Sequence, residues 1–133
     1  MPLRVAIATR NAELDALSVL LDNGYLRIYT GAQPATPETA PSGVLLAELR
    51  FNADAFPAAT GGVLTANALT ADAAANATGA AGWCRALKSD GSTAVLDTNV
   101  SVVGGGAPLE LDSIDIQAEA DVAVDSFTLT LPM

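Results

Sequence analysis

Histidine is absent from this chain of 133 residues, and cysteine occurs once, as Cys84. Those two gaps remove much chemistry. Histidine is the commonest general base and metal ligand near neutral pH. Without it, neither a Ser-His-Asp nor a Cys-His arrangement can be built within the chain. One cysteine and no histidine leave no ligand set for a zinc site. A lone cysteine forms no internal disulfide, which fits folding in a reducing compartment better than a disulfide-stapled secreted domain. With no histidine to activate its thiol, Cys84 reads as a small buried hydrophobe.

Bases and aromatics are scarce as well. Six Lys and Arg face 15 Asp and Glu, for a formal charge of −9, and aromatics make up 5% of the residues. Binding nucleic acid requires clustered bases that displace counterions from phosphates. An anionic membrane surface requires the same. Neither partner is expected. No run approaches the ~20 apolar residues that span a bilayer, and Val5-Ala6-Ile7-Ala8 is too short for a signal-peptide core.

What is present is an apolar half, mostly Ala, Leu and Val. At this length that suffices for one domain, residues 1–133, with a core of small and branched side chains. The charge is uneven. Residues 1–88 hold all six bases and seven acids, a balance of −1, while residues 89–133 hold eight acids and no base, a balance of −8. The two regions suit different surroundings, one nearly neutral and one that repels like charge.

Residues 1–8 alternate weakly, which suggests a short edge strand. A helix is expected over residues 11–22: Asn11 as N-cap, Glu13 and Asp15 in the first turn, Gly24 as the stop. Leu14, Leu17, Leu20 and Leu21 form its apolar stripe. Strands are predicted over 25–30 and 44–51. In the second, Leu45, Ala47, Leu49 and Phe51 share one face, and Glu48 and Arg50 the other. Between them residues 31–43 carry Pro34, Pro37 and Pro41, a loop running over a surface. Another strand is expected over 61–69, and an Ala-rich loop with possible helical turns over 71–82. Strands 82–89 and 93–99 flank Asp90-Gly91, a strong hairpin signal.

Gly104-Gly105-Gly106 reads as a turn, since neither GxGxxG nor P-loop spacing is met. Strands over 109–116 and 122–131 close the chain. Both change phase midway, and Asp112-Ser113 is a candidate bulge. Seven or eight short antiparallel strands and one early helix describe a mainly β fold of the β-sandwich or jelly-roll class.

The acids Glu110, Asp112, Asp115, Glu119, Asp121 and Asp125 are numerous enough to raise calcium, but the EF-hand spacing is absent and such acids usually solvate an outer face. A carboxylate pair of a glycosidase works in a cleft with aromatic platforms, and here the acidic region holds one aromatic, Phe127. No catalytic residue, metal ligand or cofactor site is assigned. Two strands are less bland. Tyr25, Arg27 and Tyr29 share one face of theirs, opposite Leu26 and Ile28. Trp83, Arg85 and Leu87 share one face of theirs, opposite Cys84 and Ala86. Tyr, Trp and Arg are enriched at interface hot spots, so Tyr25, Arg27, Tyr29, Arg50, Trp83 and Arg85 form the candidate partner face. For Trp83 a core position is the competing reading.

Several segments also look familiar together: Gly24-Tyr25-Leu26-Arg27-Ile28-Tyr29, then Gly31-Ala32-Gln33-Pro34-Ala35 and Leu45-Leu46-Ala47-Glu48-Leu49. Further on come Thr70-Ala71-Asp72-Ala73 through Gly79, Arg85 through Ser92, and Ser126-Phe127-Thr128-Leu129-Thr130-Leu131-Pro132. Nearly the whole chain resembles a family of small proteins encoded among the virion structural genes of tailed bacteriophages and prophages. The resemblance implies a capsid cement or decoration protein on the outer head surface. It would be made in the host cytoplasm and would clamp neighbouring major capsid protein subunits as a homodimer or homotrimer. A tail or head–tail junction component, or a glycan-binding module using loops 31–43 and 71–82, is the alternative.

Overall fold

The computed structural model describes residues 3–130, so the parts of the end strands expected over residues 1–2 and 131 lie outside the described residues. One helix, α1 (Ile7–Leu20), precedes nine strands: β1 (Tyr25–Tyr29), β2 (Leu45–Arg50), β3 (Val63–Thr65), β4 (Gly79–Ala80), β5 (Trp83–Leu87), β6 (Ala94–Val102), β7 (Leu109–Leu111), β8 (Asp115–Ile116) and β9 (Val124–Thr130). The fold is mainly β. Seven strands form one sheet in the order β2-β1-β5-β6-β7-β9-β3, and β4 and β8 pair separately.

Alternation explains the inner face. Leu26 and Ile28 of β1, Cys84 and Ala86 of β5, and Phe127 of β9 are all buried in one cluster with Leu46, Leu49, Leu64, Leu109 and Leu111. The sheet is curled on itself. Phe51, which follows β2 at one edge, lies 5.8 Å ring to ring from Phe127 near the other, and Phe56 fills the space between them. Residues 66–76 close the curl. Ala66 N–H donates to Phe127 and Asn67 N–H to Ala55, Thr70 bridges Arg50, Asn76 N–H donates to Leu46, and Asp72 pairs with Val122. An open edge, with its row of unpaired amides, is thereby covered.

Four expectations are corrected here. Residues 3–6 form no strand, and the helix starts at Ile7, four residues before Asn11, with Ala6 as an N-cap lacking any side-chain bond. The polar residues read as caps are used at a distance instead. Asn11 Oδ1 accepts from Gly62 N–H at 2.8 Å, Asp15 Oδ1 from Ala59 N–H at 2.8 Å, and Asp22 Oδ1 from Ala55 N–H at 2.9 Å. Three side chains thus fasten the 55–62 loop along the helix. The buried helical face is Arg10, Leu14 and Ser18, extended by Leu21 at the C-cap. Leu20 points outward, because it falls off that i, i+4, i+8 line.

The second correction is to strand direction. Not every pair is antiparallel: β6 and β7 run parallel, with Val100 opposite Leu109. Only six residues, 103–108, connect them, where a parallel crossover ordinarily takes a dozen or more. Gly104 and Gly106 at φ +87° each make so tight a return possible. Loop amides are satisfied by side chains of the strands it joins: Gly106 N–H by Glu110, Ala107 N–H by Ser101.

Third, Asp112-Ser113 is no bulge. The chain leaves the large sheet after β7 and enters the small one at β8. The phase change in the last strand is a bulge, at Asp125, since Glu110 faces Ser126 but Leu111 faces Val124. Fourth, the strands expected over 61–69 and 44–51 are shorter, and the second bulges at Leu46. Ile28 faces Ala47 and Tyr29 faces Leu45. Leu46 therefore turns inward and is fully buried.

Candidate functional site

The candidate face is the outer side of β2, β1, β5 and β6. Its register sets residues in rows across the strands. Arg50, Tyr25 and Leu87 form one row; Glu48, Arg27, Arg85 and Asp97 the next; Tyr29, Trp83 and Asn99 a third. The middle row sets Arg27 directly opposite Arg85, a like-charge pairing that is unfavourable in isolation. Each guanidinium is neutralised on its far side. Arg27 Nε donates to Glu48 Oε2 at 2.7 Å, and Arg85 Nε to Asp97 Oδ1 at 2.7 Å.

Equal distances hide unequal settings. The side chains of Arg85 and Asp97 are 6% and 1% exposed; those of Arg27 and Glu48 are 25% and 36% exposed. Arg85 adds a second bond to Asp97, 3.0 Å from Nη2, and a third to the Thr39 carbonyl at 2.7 Å. The hydrogen-bonded Asp97 carboxylate holds the Arg85 pKa above its ordinary value.

Thr39 belongs to the proline-rich segment 31–43, which lies over this part of the face. Its root is tied down by Thr30 N–H to the Val44 carbonyl and by Val44 N–H to Thr30 Oγ1. Beside that root Trp83 Nε1 donates to the Thr30 carbonyl at 3.2 Å, and the indole stacks on Tyr29 at 4.6 Å with planes 14° apart.

The six candidate residues therefore separate into two groups. Trp83, Arg85 and Tyr29 are buried, and Leu87 with them. They make no open surface, because the strap and each other cover them. Tyr25 and Arg27 are half-buried, and Arg50 is exposed. These three form a connected rim. Arg50 lies over the Tyr25 ring at 4.0 Å, Arg27 lies 5.5 Å from the same ring, and Arg50 Nη2 donates to the Asn23 carbonyl at 2.7 Å. The β5–β6 turn closes the rim from below, where Gly91 sits against Tyr25 and Arg27.

Asp97 and Thr39 had not been singled out. Continued straight from the Lys88–Thr93 pair at the turn, the ladder would set Arg85 opposite Leu96. A bulge at Val95 shifts it by one, to Asp97. An acid between Leu96 and Thr98 in a strand was the available signal, but its partner depended on that bulge.

Burial pushes the Cys84 thiol pKa far up, with Asp97 adding to the effect. The acidic segment has structural duties too. Glu110 accepts from Gly106 N–H, and Asp112, Asp115 and Asp121 border a surface cavity of about 350 Å³ with Ser113 and Gln117. Among the described residues, no three carboxylates or thiols gather as a metal would need, and no helix is long and apolar enough to cross a membrane.

Fold and face together define a mainly β chain with a preformed aromatic–cationic rim. No known protein family, curated protein or solved structure matches the chain.

Proposed function

We propose that the chain is a structural protein of a tailed-phage virion, of the capsid cement or decoration type. It attaches to the outside of the head and bridges neighbouring major capsid protein subunits, itself as a dimer or trimer. The curled sheet is, in this reading, a small jelly-roll-like wall.

One observation carries the reading: Tyr25 is held between Arg27 and Arg50 before any partner arrives. Preordered side chains lose little conformational freedom on binding, and Tyr and Arg are both enriched at interface hot spots. The buried Arg85–Asp97 pair lies in the next strands of the same row as Arg27. The resemblance of the sequence to phage virion proteins supplies the partner. Binding across subunits stabilises a shell by the free energy of that binding, and many symmetric copies make a modest contact effective.

Co-sedimentation tests it. Purified chain is mixed with heads of the encoding phage that lack it. The expected result is saturable co-sedimentation and greater resistance of the heads to heat, both reduced by Tyr25→Ala. Heads that neither bind the chain nor gain resistance would end the proposal. Attachment to tails would reassign the chain to the tail or head–tail junction.

A further inference from the structure

We infer that Arg50 reads a carboxylate on the partner, so that the surface facing the rim presents an Asp or Glu side chain over Tyr25. The inference rests on the binding role proposed above and names the chemistry of the partner's contact.

Arg27 and Arg85, the other two arginines of this face, already have carboxylates at 2.7 Å. Arg50 does not. Among the described residues its contacts are the Tyr25 ring, 4.0 Å from its Cζ, and the Asn23 carbonyl, 2.7 Å from Nη2. A ring face and one carbonyl fix the plane and the direction of the guanidinium and leave its charge uncompensated. Arginine carries five N–H donors in a rigid fork that matches a carboxylate in a bidentate pair. Among the described residues only one of the five is used. The side chain is exposed, so a partner reaches the remainder without moving the strap.

The rest of the molecule makes that charge distinctive. The eight acids of residues 89–133, a stretch without a base, repel an acidic partner, and this rim admits one. Such an arrangement selects register as well as attraction. The ring beneath strengthens the choice of arginine, because a guanidinium stacks on an aromatic face in a way an ammonium does not. Tyr25 thus acts as a platform and Arg50 as the reader.

Two measurements separate this inference from the role it rests on. The first uses the free chain. Tetraglutamate and tetraglutamine peptides with blocked termini are titrated while the Arg50 Nε–H and Tyr25 backbone amide resonances are followed by NMR. A saturable shift of both resonances with tetraglutamate alone is expected, and the Tyr25 amide shift is lost in Arg50→Gln. No shift, or equal shifts with both peptides, overturns the inference whatever the heads do. The second uses heads. Arg50→Lys is expected to weaken co-sedimentation by about tenfold or more, close to Arg50→Gln, because the fork and the stack are both lost. Amidating the head's surface carboxylates is expected to do the same. Full binding by Arg50→Lys refutes the fork and the stack, and full binding by Arg50→Gln or to amidated heads refutes carboxylate reading, while attachment itself stays intact. Heads that fail to bind the unmodified chain refute the attachment role, and the peptide titration still decides for Arg50.

Discussion

Replacing Asp97 by Ala should cost this protein far more than removing the more exposed Glu48 carboxylate of the same face. The Asp97 carboxylate accepts two of the three described hydrogen bonds of Arg85, at 2.7 and 3.0 Å, and the pair's side chains are 6% and 1% exposed. Without it, a buried guanidinium keeps only the Thr39 carbonyl as a described hydrogen-bond acceptor. Breaking a buried pair from one side costs about 3–5 kcal/mol. A whole domain has only about 5–15 kcal/mol of stability. Glu48→Ala is the control, since it breaks a contact of equal length, 2.7 Å, at 25% and 36% exposure. Such pairs are worth about 0–1 kcal/mol.

Urea unfolding followed by the fluorescence of Trp83, the single tryptophan, reads both changes. With a slope of about 1–3 kcal/mol per molar, Asp97→Ala should lower the midpoint by about 1 M or more. Glu48→Ala should barely move it. If Asp97→Ala does not fold, Arg85→Met with Asp97→Leu should restore a folded chain, because an apolar replacement of both partners leaves no charge to desolvate. Equal midpoints for Asp97→Ala and Glu48→Ala would refute the argument from burial. The guanidinium side of this stabilisation should not vary with pH over the usual range. Asp97 raises the Arg85 pKa, so its contribution is complete below arginine's ordinary, strongly basic value and fades only at still higher pH.

Cys84 should resist thiol reagents in the native state and react at the rate of unfolding, since burial disfavours the thiolate; rapid labelling of folded protein would contradict its placement. Asp90 accepts from Ser92 N–H, Thr93 N–H and Thr93 Oγ1, bonds that lower its pKa to about 2. A depressed carboxylate stabilises the fold above its unfolded value of about 4. The β5–β6 turn should therefore loosen as pH falls from about 4 to about 2, seen as faster amide exchange at Ser92 and Thr93, and an ordinary titration of Asp90 by NMR would show the cap to be absent. Gly82→Ala would place a Cβ on the Gly31 carbonyl oxygen. The crowding should cost about 1–3 kcal/mol and disturb the neighbouring Trp83 fluorescence, whereas Gly104→Ser should leave that fluorescence unchanged.

The rim and its face were legible in the chain to an uneven degree. That Tyr25, Arg27 and Tyr29 point one way and Leu26 and Ile28 the other follows from the two-residue period of a strand. The split of the six candidates into buried and open groups does not follow. It depends on where the strap 31–43 lies, and three prolines specify an extended segment without specifying what it covers. The bulges at Leu46, Val95 and Asp125 show the same limit. One extra residue moves every later side chain to the other face, yet no residue type demands it at those positions.

Local chemistry alone settled the helix over residues 11–20, the Asp90-Gly91 turn, the alternation of β1 and β5, and the lack of any histidine-based site. Each depends on neighbours a few residues apart, and such neighbours meet however the chain is packed. Tertiary contact decided the early start of α1, the parallel pairing of β6 with β7, the burial of Arg85 with Asp97, and the isolation of Arg50 at the rim. Those outcomes join residues far apart in sequence. Asn11 met Gly62, Arg85 met Thr39 and Phe51 met Phe127 only once the sheet had curled and brought its edges together.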